Sequence, residues 1–445
     1  MILLENATIV TSEKEALGSV IIEGHVIKDV LYADAEEYQY LLFKYRKEAG
    51  QIMGLTGKHI IAGGIDAHVH FREPGLTHKA DMHTESEAAL KGGVTSYMDM
   101  PNTNPATTTA MALKEKIETA KGRVRGKISF HIGVTNKNAD EICRLVREGD
   151  PQSGLNPEDI AGVKVFMGSS TGNMLVDSDS TLDKIFSIRE KPVLVHCEDE
   201  ATIKSNLNEA VQKYGEDIPF REHENIRSRK ACIKSSIKAL EMAISHQTSM
   251  VLCHISTKEE LEMVRAAKIQ NPKIKAETSC NYLWFSNSDY DRLGSKVKCN
   301  PSIKAESDRE ALRNGLATGI IDTIGSDHAP HLESEKAVPY CKAPSGLPTI
   351  QQSLPVLLTI AHQEDIPLTR IASVFSENAA ELYGLNRGKI RKGYEADLVI
   401  FDLSKEFTVN NEDQKGKCGW TPYAGETLRG VIEAVFIDGR KVSID

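Results

Sequence analysis

Short apolar runs alternate with helix-patterned stretches through the middle of this chain, and this alternation most restricts its fold. Eight runs have the composition and length of buried strands: Ile60–His68, Val94–Met100, Ile128–Val134, Ile160–Met167, Pro192–His196, Met250–His254, Ile274–Thr278 and Ile321–Gly325. Helical periodicity marks the stretches between and after them: Glu85–Lys91, Thr109–Thr119, Ala139–Glu148, Thr181–Arg189, Ala231–Ser245, Thr257–Ala267, Ser307–Ala317 and Ile350–His362. Strands that alternate with helices form parallel sheets, and eight is the number that closes a barrel. An open doubly wound sheet is the alternative, but no Gly-x-Gly-x-x-Gly turn follows the first run, so we predict an α/β fold with a TIM-like (β/α)8 barrel.

The two ends of the chain differ from the middle. Residues 19–27 have the pattern of strand, turn and strand, and residues 435–442 repeat it around an Asp-Gly pair that favours a tight hairpin. Neither end is long enough to bury a sheet alone, so we predict that both pack together as one small β-sandwich domain. The predicted boundaries are 1–58 and 387–445 for this domain, 59–386 for the barrel, and 32–51 for a charged helical insertion.

Composition is that of an ordinary globular protein, with 40% hydrophobic and 26% charged residues among 445. The net charge of −9 is spread along the chain and gives no indication of a nucleic-acid surface. Eight cysteines include no Cys-x-x-Cys pair, so we expect free thiols and a cytoplasmic location. Met1–Val10 is too short for a signal peptide, and the longest apolar run, Leu354–Ala361, is too short for a membrane span.

The first predicted barrel strand ends in Asp66-Ala67-His68-Val69-His70-Phe71-Arg72. Side chains alternate along a strand, so His68, His70 and Arg72 are predicted to face one cavity. A buried strand that ends in His-x-His indicates a metal site, and the arginine indicates an anionic ligand. The alternative is a strand end with two hydrogen-bonded structural histidines.

Potential ligands also follow other predicted strands. His196 ends the fifth strand, His254 ends the sixth, and Asp327-His328-Ala329-Pro330-His331 follows the eighth. The carboxyl ends of all eight strands meet at one rim of such a barrel, where the active site lies. A lone histidine there is usually structural, but several ligands at one rim predict a shared metal centre.

Lys164 lies inside the fourth apolar run, where an unpaired ammonium group is costly. It could form a salt bridge within the barrel or point outward. Alternatively, carbon dioxide has carboxylated its amine, which becomes an anionic ligand able to bridge two divalent cations about 3.5–4 Å apart. The residue itself leaves these alternatives open.

Together these motifs resemble the amidohydrolase superfamily, and within it the dihydroorotases. The positions that match the binuclear metal centre are His68, His70, Lys164, His196, His254 and Asp327. The segments similar to dihydroorotases in particular are His68–Gly75, Met100–Pro105 and Asp327–His331, joined near the C-terminus by Glu377–Leu385 and Ala396–Ile400. The resemblance covers nearly the whole chain.

The resemblance implies a role for each residue. His68 and His70 would hold the more buried metal. His196 and His254 would hold the more exposed one, with carboxylated Lys164 between the two, and Asp327 would bind a metal and shuttle the proton. The implied substrate-binding residues are Arg72, Asn102 and His331 around the carboxylate and Asn300 at the ring. After Asn300 this chain has Pro-Ser-Ile-Lys where the family usually has Pro-Pro-Leu-Arg.

The implied activity is reversible hydrolysis of dihydroorotate to N-carbamoyl-L-aspartate, a step of de novo pyrimidine (UMP) biosynthesis. A hydroxide between two divalent cations would attack the ring amide, and Asp327 would pass the proton to the leaving nitrogen. The ligand types fit Zn²⁺ and leave manganese, cobalt and iron open. We expect a small-molecule enzyme with no nucleic-acid or membrane partner, and the resemblance implies a homo-oligomer.

Two other functions stay open. A hydantoinase or allantoinase would share the metal centre, but its neutral ring offers no carboxylate to Arg72 and His331. A non-catalytic scaffold of this fold would typically have lost metal ligands, and all are present here. The glycine- and serine-rich residues 168–174 are predicted to form a mobile loop over the substrate, with an inert linker as the alternative.

Overall fold

Two eight-stranded sheets organise the chain. The structure is a computed structural model that describes residues 1–168 and 174–444. In chain order the strands are β1 Ile2–Val10, β2 Glu15–Glu23, β3 Val26–Tyr32, β4 Gln51–Gly54, β5 His59–Ala62, β6 Gly64–Val69, β7 Val94–Asp99, β8 Lys127–Gly133, β9 Ile160–Phe166, β10 Val193–His196, β11 Met250–Leu252, β12 Ile274–Thr278, β13 Thr323–Ile324, β14 Leu398–Thr408, β15 Thr427–Ile437 and β16 Arg440–Val442. The first sheet has the order β16-β15-β14-β5-β1-β2-β3, with β4 on β1, and the second runs from β13 to β6.

The second sheet is the predicted barrel. Every strand pairs in parallel with the next one along the chain. A parallel bridge between Val69 and His328 links the first strand to the segment after the last and closes the ring. The (β/α)8 prediction is therefore confirmed. Helices cover the outside, which explains why these strands are continuous apolar runs in the sequence.

The helices include all eight predicted ones. Their bounds are α1 Tyr38–Glu48, α2 Met82–Lys91, α3 Ala110–Ala120, α4 Ala139–Glu148, α5 Asp179–Phe186, α6 Glu200–Tyr214, α7 His223–Ile226, α8 Arg229–His246, α9 Lys258–Gln270, α10 Cys280–Trp284, α11 Asp289–Leu293, α12 Glu306–Thr318, α13 Glu333–Lys336, α14 Ser353–Gln363, α15 Leu368–Ala372 and α16 Asn378–Tyr383. Side-chain caps start several of them: Asp81 accepts from two backbone N–H groups of α2, and Thr257 accepts from one of α9. Within the described ranges, no helix is both long enough and apolar enough to cross a membrane.

The run predicted as one strand over residues 60–68 is two strands in different sheets. β5 pairs with β1 and β14, whereas β6 pairs with β7 of the barrel. The chain changes layer at Gly63 and Gly64, where an added Cβ would lie 2.2 Å from the Thr95 side chain and 2.4 Å from the Phe375 ring. Both halves of the run are apolar, so the pattern contains no sign of the break. We propose that the barrel domain begins at Gly64 rather than at residue 59.

The chain ends share the first sheet, as predicted. The two predicted hairpins are β2–β3 and β15–β16, and Asp438 and Gly439 both have positive φ, 49° and 71°, as a type I′ turn requires. The strands hydrogen-bond as one continuous sheet, which buries an apolar core that includes Leu4 and Phe436. The predicted insertion is helix α1, which packs on this sheet through Tyr38, Leu42 and Tyr45.

The segment between β14 and β15 extends from the small domain to the barrel rim. Trp420 Nε1 donates to His331 O at 2.7 Å, and Tyr423 OH bonds Asn281 Oδ1 at 3.1 Å. Trp420 and Tyr423 are fully buried. The small domain therefore supports the segment that follows the eighth barrel strand.

Candidate metal centre

The histidines and the aspartate predicted as ligands converge at the carboxyl ends of the barrel strands. His68 Nε2 and His70 Nε2 lie 3.4 Å and 3.1 Å from Asp327 Oδ1. His196 Nδ1 lies 2.9 Å from His254 Nε2, and the ring centroids of His68 and His254 are 5.3 Å apart. The four histidines are buried, and the Asp327 side chain is 12% exposed at the cavity. Side chains at or just after the ends of four barrel strands thus form one polar cluster.

The backbone at three of the predicted site residues is left-handed. Arg72, His254 and Asp327 have φ values of 65°, 37° and 49°. Each conformation costs about 1–3 kcal/mol for a residue other than glycine and is typical of functional sites. His254 and Asp327 lie just beyond the ends of β11 and β13, where the sharp turn directs their side chains to the barrel axis.

Arg72 is placed differently from the prediction. Strand β6 ends at Val69, so alternation along a strand does not extend to Arg72. Its guanidinium donates from Nε to Pro330 O at 3.1 Å, and its Nη2 lies 3.1 Å from His331 Nε2. Arg72 is 1% exposed, and burial lowers its pKa to about 10. It therefore joins the segment after β13 rather than the same face as His68 and His70.

Buried carboxylates and an amide hold the ligand rings. His68 Nδ1 lies 2.6 Å from Glu277 Oε1, and His70 Nδ1 lies 2.7 Å from Asn102 Oδ1. His196 Nε2 lies 2.9 Å from Glu198 Oε2. Such outer partners fix the orientation and tautomer of ligating histidines. We predicted no role for the two glutamates; their position at or just after β12 and β10 was the available signal.

Burial and charge shape the titration of these carboxyl groups. Burial raises the pKa of Glu277 to about 7. Burial also acts to raise the pKa of Glu198, but the Arg227 guanidinium, whose Nη2 lies 2.5 Å from Glu198 Oε2, outweighs it and lowers the pKa. The pKa of Asp327 is lowered because the His70 hydrogen bond and nearby positive charges outweigh the opposing effect of burial. Asp327 and Glu198 are therefore ionised near neutral pH.

Lys164 points into the barrel from β9 and is fully buried. Its Nζ lies 3.4 Å from Cys253 Sγ and 5.1 Å from the Phe166 ring centroid. It forms no ion pair with any described residue, and its charge acts on the pKa values of His68, Glu277 and Asp327 in the barrel interior, which contradicts the outward orientation. Two of the three alternatives left open by the sequence therefore find no support in the described part of the chain.

The cavity at this rim is bounded by the predicted ligands and by part of the predicted substrate site. Its lining residues are His68, His70, Phe166, His196, His254, Asn300, Asp327, Ala329, Ser345 and Gly346. Arg72, Asn102 and His331 are buried behind this lining. His331 Nε2 lies 3.1 Å from Ser345 O, whereas Asn102 bonds His70. In the predicted loop 168–174, residues 169–173 lie outside the described residues.

The donor set fits divalent metal ions. His68, His70 and Asp327 offer ligand atoms that lie within 4.8 Å of one another. His254 Nδ1 is a buried nitrogen with no hydrogen-bond partner among the described residues. Imidazole nitrogens and a carboxylate in a buried site are the ligands that zinc and similar metals prefer.

Comparison with known proteins defines the family. The amidohydrolase family profile matches residues 59–442, and the chain belongs to this family. The dihydroorotase of Methanosarcina acetivorans is 33% identical over 397 residues, which cover 86% of this chain and 80% of that protein. The dihydroorotase of Staphylococcus epidermidis is 29% identical over 430 residues, which cover 95% and 97%. The predicted resemblance to dihydroorotases is confirmed.

Solved structures share the fold. The L-hydantoinase (dihydropyrimidinase) of Arthrobacter aurescens has a TM-score of 0.88 at 24% identity and covers 99% of this chain and 96% of that chain. The dihydropyrimidinase of Brevibacillus agri has a TM-score of 0.86 at 23% identity, with coverage of 99% and 94%. At these identities the likeness establishes the architecture of barrel and end sheet alone.

Proposed function

We propose that this protein is a dihydroorotase, which reversibly hydrolyses dihydroorotate to N-carbamoyl-L-aspartate in de novo pyrimidine biosynthesis. The observation that carries the proposal is Arg72, a buried guanidinium that forms no ion pair with a described residue. An uncompensated buried charge is costly, so the site favours an anion from outside. Dihydroorotate carries a carboxylate on its ring, whereas hydantoin does not. The dihydroorotase relatives support the same choice.

The proposal assigns two divalent ions, Zn²⁺ in the first instance, to the buried cluster. We assign His68 and His70 to one ion and His196 and His254 to the other, with Asp327 as a further ligand. When bound, the ions would acidify a water molecule and polarise the amide carbonyl.

Lys164 is proposed to be carboxylated. A buried ammonium group beside a cation site is electrostatically unfavourable, and no carboxylate among the described residues lies within ion-pair distance of it. After the ammonium group has lost a proton, its nitrogen would form a bond to the carbon of carbon dioxide and release a second proton, so that an anionic carbamate able to ligate metal replaces the positive charge. The side chain in contact with Nζ is the thiol of Cys253, whose Sγ lies 3.4 Å away. A thiol forms no strong ion pair with the amine, so the reaction with carbon dioxide does not have to break one.

The chain's own groups would handle the proton and the substrate. Asp327 is ionised and faces the cavity, so it can accept the proton of the attacking water and deliver it to the ring nitrogen as the amide bond breaks. Arg72 and His331 would bind the carboxylate. The Asn300 side chain lines the cavity, and its Oδ1 has no partner among described residues, so it can accept a ring N–H.

Ring opening of dihydroorotate, hydantoin and allantoin by zinc-loaded protein, followed by ultraviolet absorbance, tests the proposal. We expect turnover of dihydroorotate alone. Turnover of hydantoin or allantoin but not of dihydroorotate would contradict the proposed substrate. If the protein binds metal but turns over none of the three rings, the hypothesis of a non-catalytic scaffold is favoured. Arg72→Met is the matched variant, because it removes the cation and keeps a long side chain.

The proposal also includes a homo-oligomer in the cytoplasm. All eight cysteines are free, which suits a reducing compartment. Light scattering measures the oligomeric state, and cell fractionation measures the location; a monomer or a secreted protein would contradict these two parts.

A further inference from the structure

His331 is enclosed by groups whose hydrogen-bonding roles are fixed by their chemistry. Lys79 Nζ lies 3.1 Å from His331 Nδ1. Ser345 O and Arg72 Nη2 each lie 3.1 Å from His331 Nε2. An ammonium or guanidinium group can only donate, and a carbonyl oxygen can only accept. His331, Lys79 and Arg72 are all buried, so water does not replace these partners freely.

These roles select one protonation state of the imidazole. With the proton on Nε2, the ring accepts from Lys79 at Nδ1 and donates to Ser345 O. The opposite tautomer lets Nε2 accept from Arg72, but it directs an N–H at the Lys79 ammonium and a lone pair at the Ser345 carbonyl, so it mismatches two contacts where the Nε2–H form mismatches one. The doubly protonated ring directs N–H groups at two cations. Burial and the charges of Arg72 and Lys79 lower the pKa of His331, in agreement with a neutral ring.

Glu335 lies near the Lys79 ammonium group and does not replace Lys79 as the hydrogen-bond partner of His331 Nδ1. Glu335 Oε1 lies 3.8 Å from Lys79 Nζ, and Glu335 Oε2 lies 3.6 Å from His331 Nδ1, beyond hydrogen-bond distance. Glu335 also accepts from the Leu332 backbone N–H and from His78. It therefore balances the ammonium charge, while Lys79 alone bonds Nδ1.

We propose that Lys79 is a positioning residue that holds His331 as the Nε2–H tautomer for substrate binding. In this tautomer Ser345 O takes the one N–H of His331, and Nε2 no longer offers a lone pair to Arg72; a carboxylate needs donors because it only accepts. The Arg72 Nη2 hydrogens find no acceptor at a protonated Nε2, so they remain for the anion. The identity of that anion rests on the proposed function; the tautomer does not.

Nitrogen-15 NMR of histidine-labelled, zinc-loaded protein measures the tautomer without any turnover. His331→Gln identifies the signal by its loss. We expect an unprotonated Nδ1 and a protonated Nε2 in the parent protein, and a shift of the proton toward Nδ1 in Lys79→Met. A protonated Nδ1 in the parent, or the same tautomer in Lys79→Met, would overturn the inference.

Kinetics then test the consequence. Lys79→Met is expected to raise the KM for dihydroorotate about tenfold or more, with a much smaller change in kcat, because binding of a charged group is weakened. Lys79→Arg keeps a donor and is expected to restore both the tautomer and the KM. Glu335→Gln is the matched control, because it removes the neighbouring charge and leaves the Lys79 bond in place.

The two proposals fail in different ways. A parent protein that binds zinc but does not turn over dihydroorotate contradicts the proposed function, while the NMR result still decides the tautomer. A parent protein that turns over dihydroorotate, with a KM unchanged in Lys79→Met, contradicts the role of Lys79.

Discussion

Lys116 provides a stringent test of how the rim is held. Its Nζ lies 2.6 Å from Asp99 Oδ2, and both side chains are 0% exposed. Lys116 also donates to Met100 O at 2.8 Å, and Asp99 Oδ1 accepts from Phe71 N at 2.7 Å. The pair therefore fastens the ends of β6 and β7, directly before Arg72 and Asn102.

Replacement by methionine keeps the length and apolar stem of Lys116 and removes its charge. Loss of one partner of a buried ion pair costs about 3–5 kcal/mol, since the other charge stays buried. The lost bond to Met100 O adds about 1 kcal/mol. We expect Lys116→Met to lower the free energy of unfolding by about 4–6 kcal/mol.

Urea unfolding of zinc-loaded protein, followed by circular dichroism, measures this loss. Lys121→Met is the matched control: Lys121 directly follows the same helix, α3, and pairs with Glu118 at 2.7 Å, but the two side chains are 65% and 47% exposed. Its loss is expected to cost about 0–1 kcal/mol. Adding Asp99→Asn to Lys116→Met should recover stability, because it removes the uncompensated charge. Equal losses for the two lysine variants would refute the reasoning.

Four further predictions concern the site. Asp327→Asn is expected to retain metal, measured by elemental analysis, and to lose turnover by about 10²–10⁴-fold; normal turnover would contradict the proton route. Arg72→Met is expected to raise the KM for dihydroorotate about 10–100-fold, and an unchanged KM would contradict the proposal that Arg72 binds the substrate carboxylate. Glu277→Gln should weaken zinc binding about 10–100-fold in chelator competition, since the His68 ring loses its carboxylate partner; equal affinity would contradict a role of Glu277 in orienting His68. Carbon-13 bicarbonate should produce a carbamate NMR signal that is absent in Lys164→Arg, and its absence from the parent would contradict carboxylation.

Periodicity and motif spacing in the sequence were sufficient to predict the barrel. Its strands are buried on both faces, so each is a contiguous apolar run, and the polar residues mark where it ends. The wrong prediction of a single strand over residues 60–68 has the same cause, because β5 and β6 are both buried and nothing polar separates them. The change of sheet becomes visible only in three dimensions, in the strand pairing and in the close packing at Gly63 and Gly64.

The outer contacts of the site could not be inferred in this way. Glu277 is 209 residues from His68, and Lys79 is 252 residues from His331. Such pairs depend on how distant loops meet at the rim, which local patterns do not encode. Arg72 shows a second limit: alternation predicts side-chain direction only while the strand continues, and β6 ends at Val69.

The strained backbone and the buried polar groups of this rim belong to one arrangement. Left-handed conformations at Arg72, His254 and Asp327 persist only where the surrounding structure holds them. Each has an adjacent residue whose backbone N–H is anchored to a group from another part of the barrel. The anchoring bonds run from Phe71 N to Asp99 Oδ1, from Ile255 N to Glu277 O and from Ser326 N to Asp66 Oδ1. Because Asp99 depends on Lys116 for its charge balance, the stability lost in Lys116→Met and the geometry of Arg72 are expected to change together.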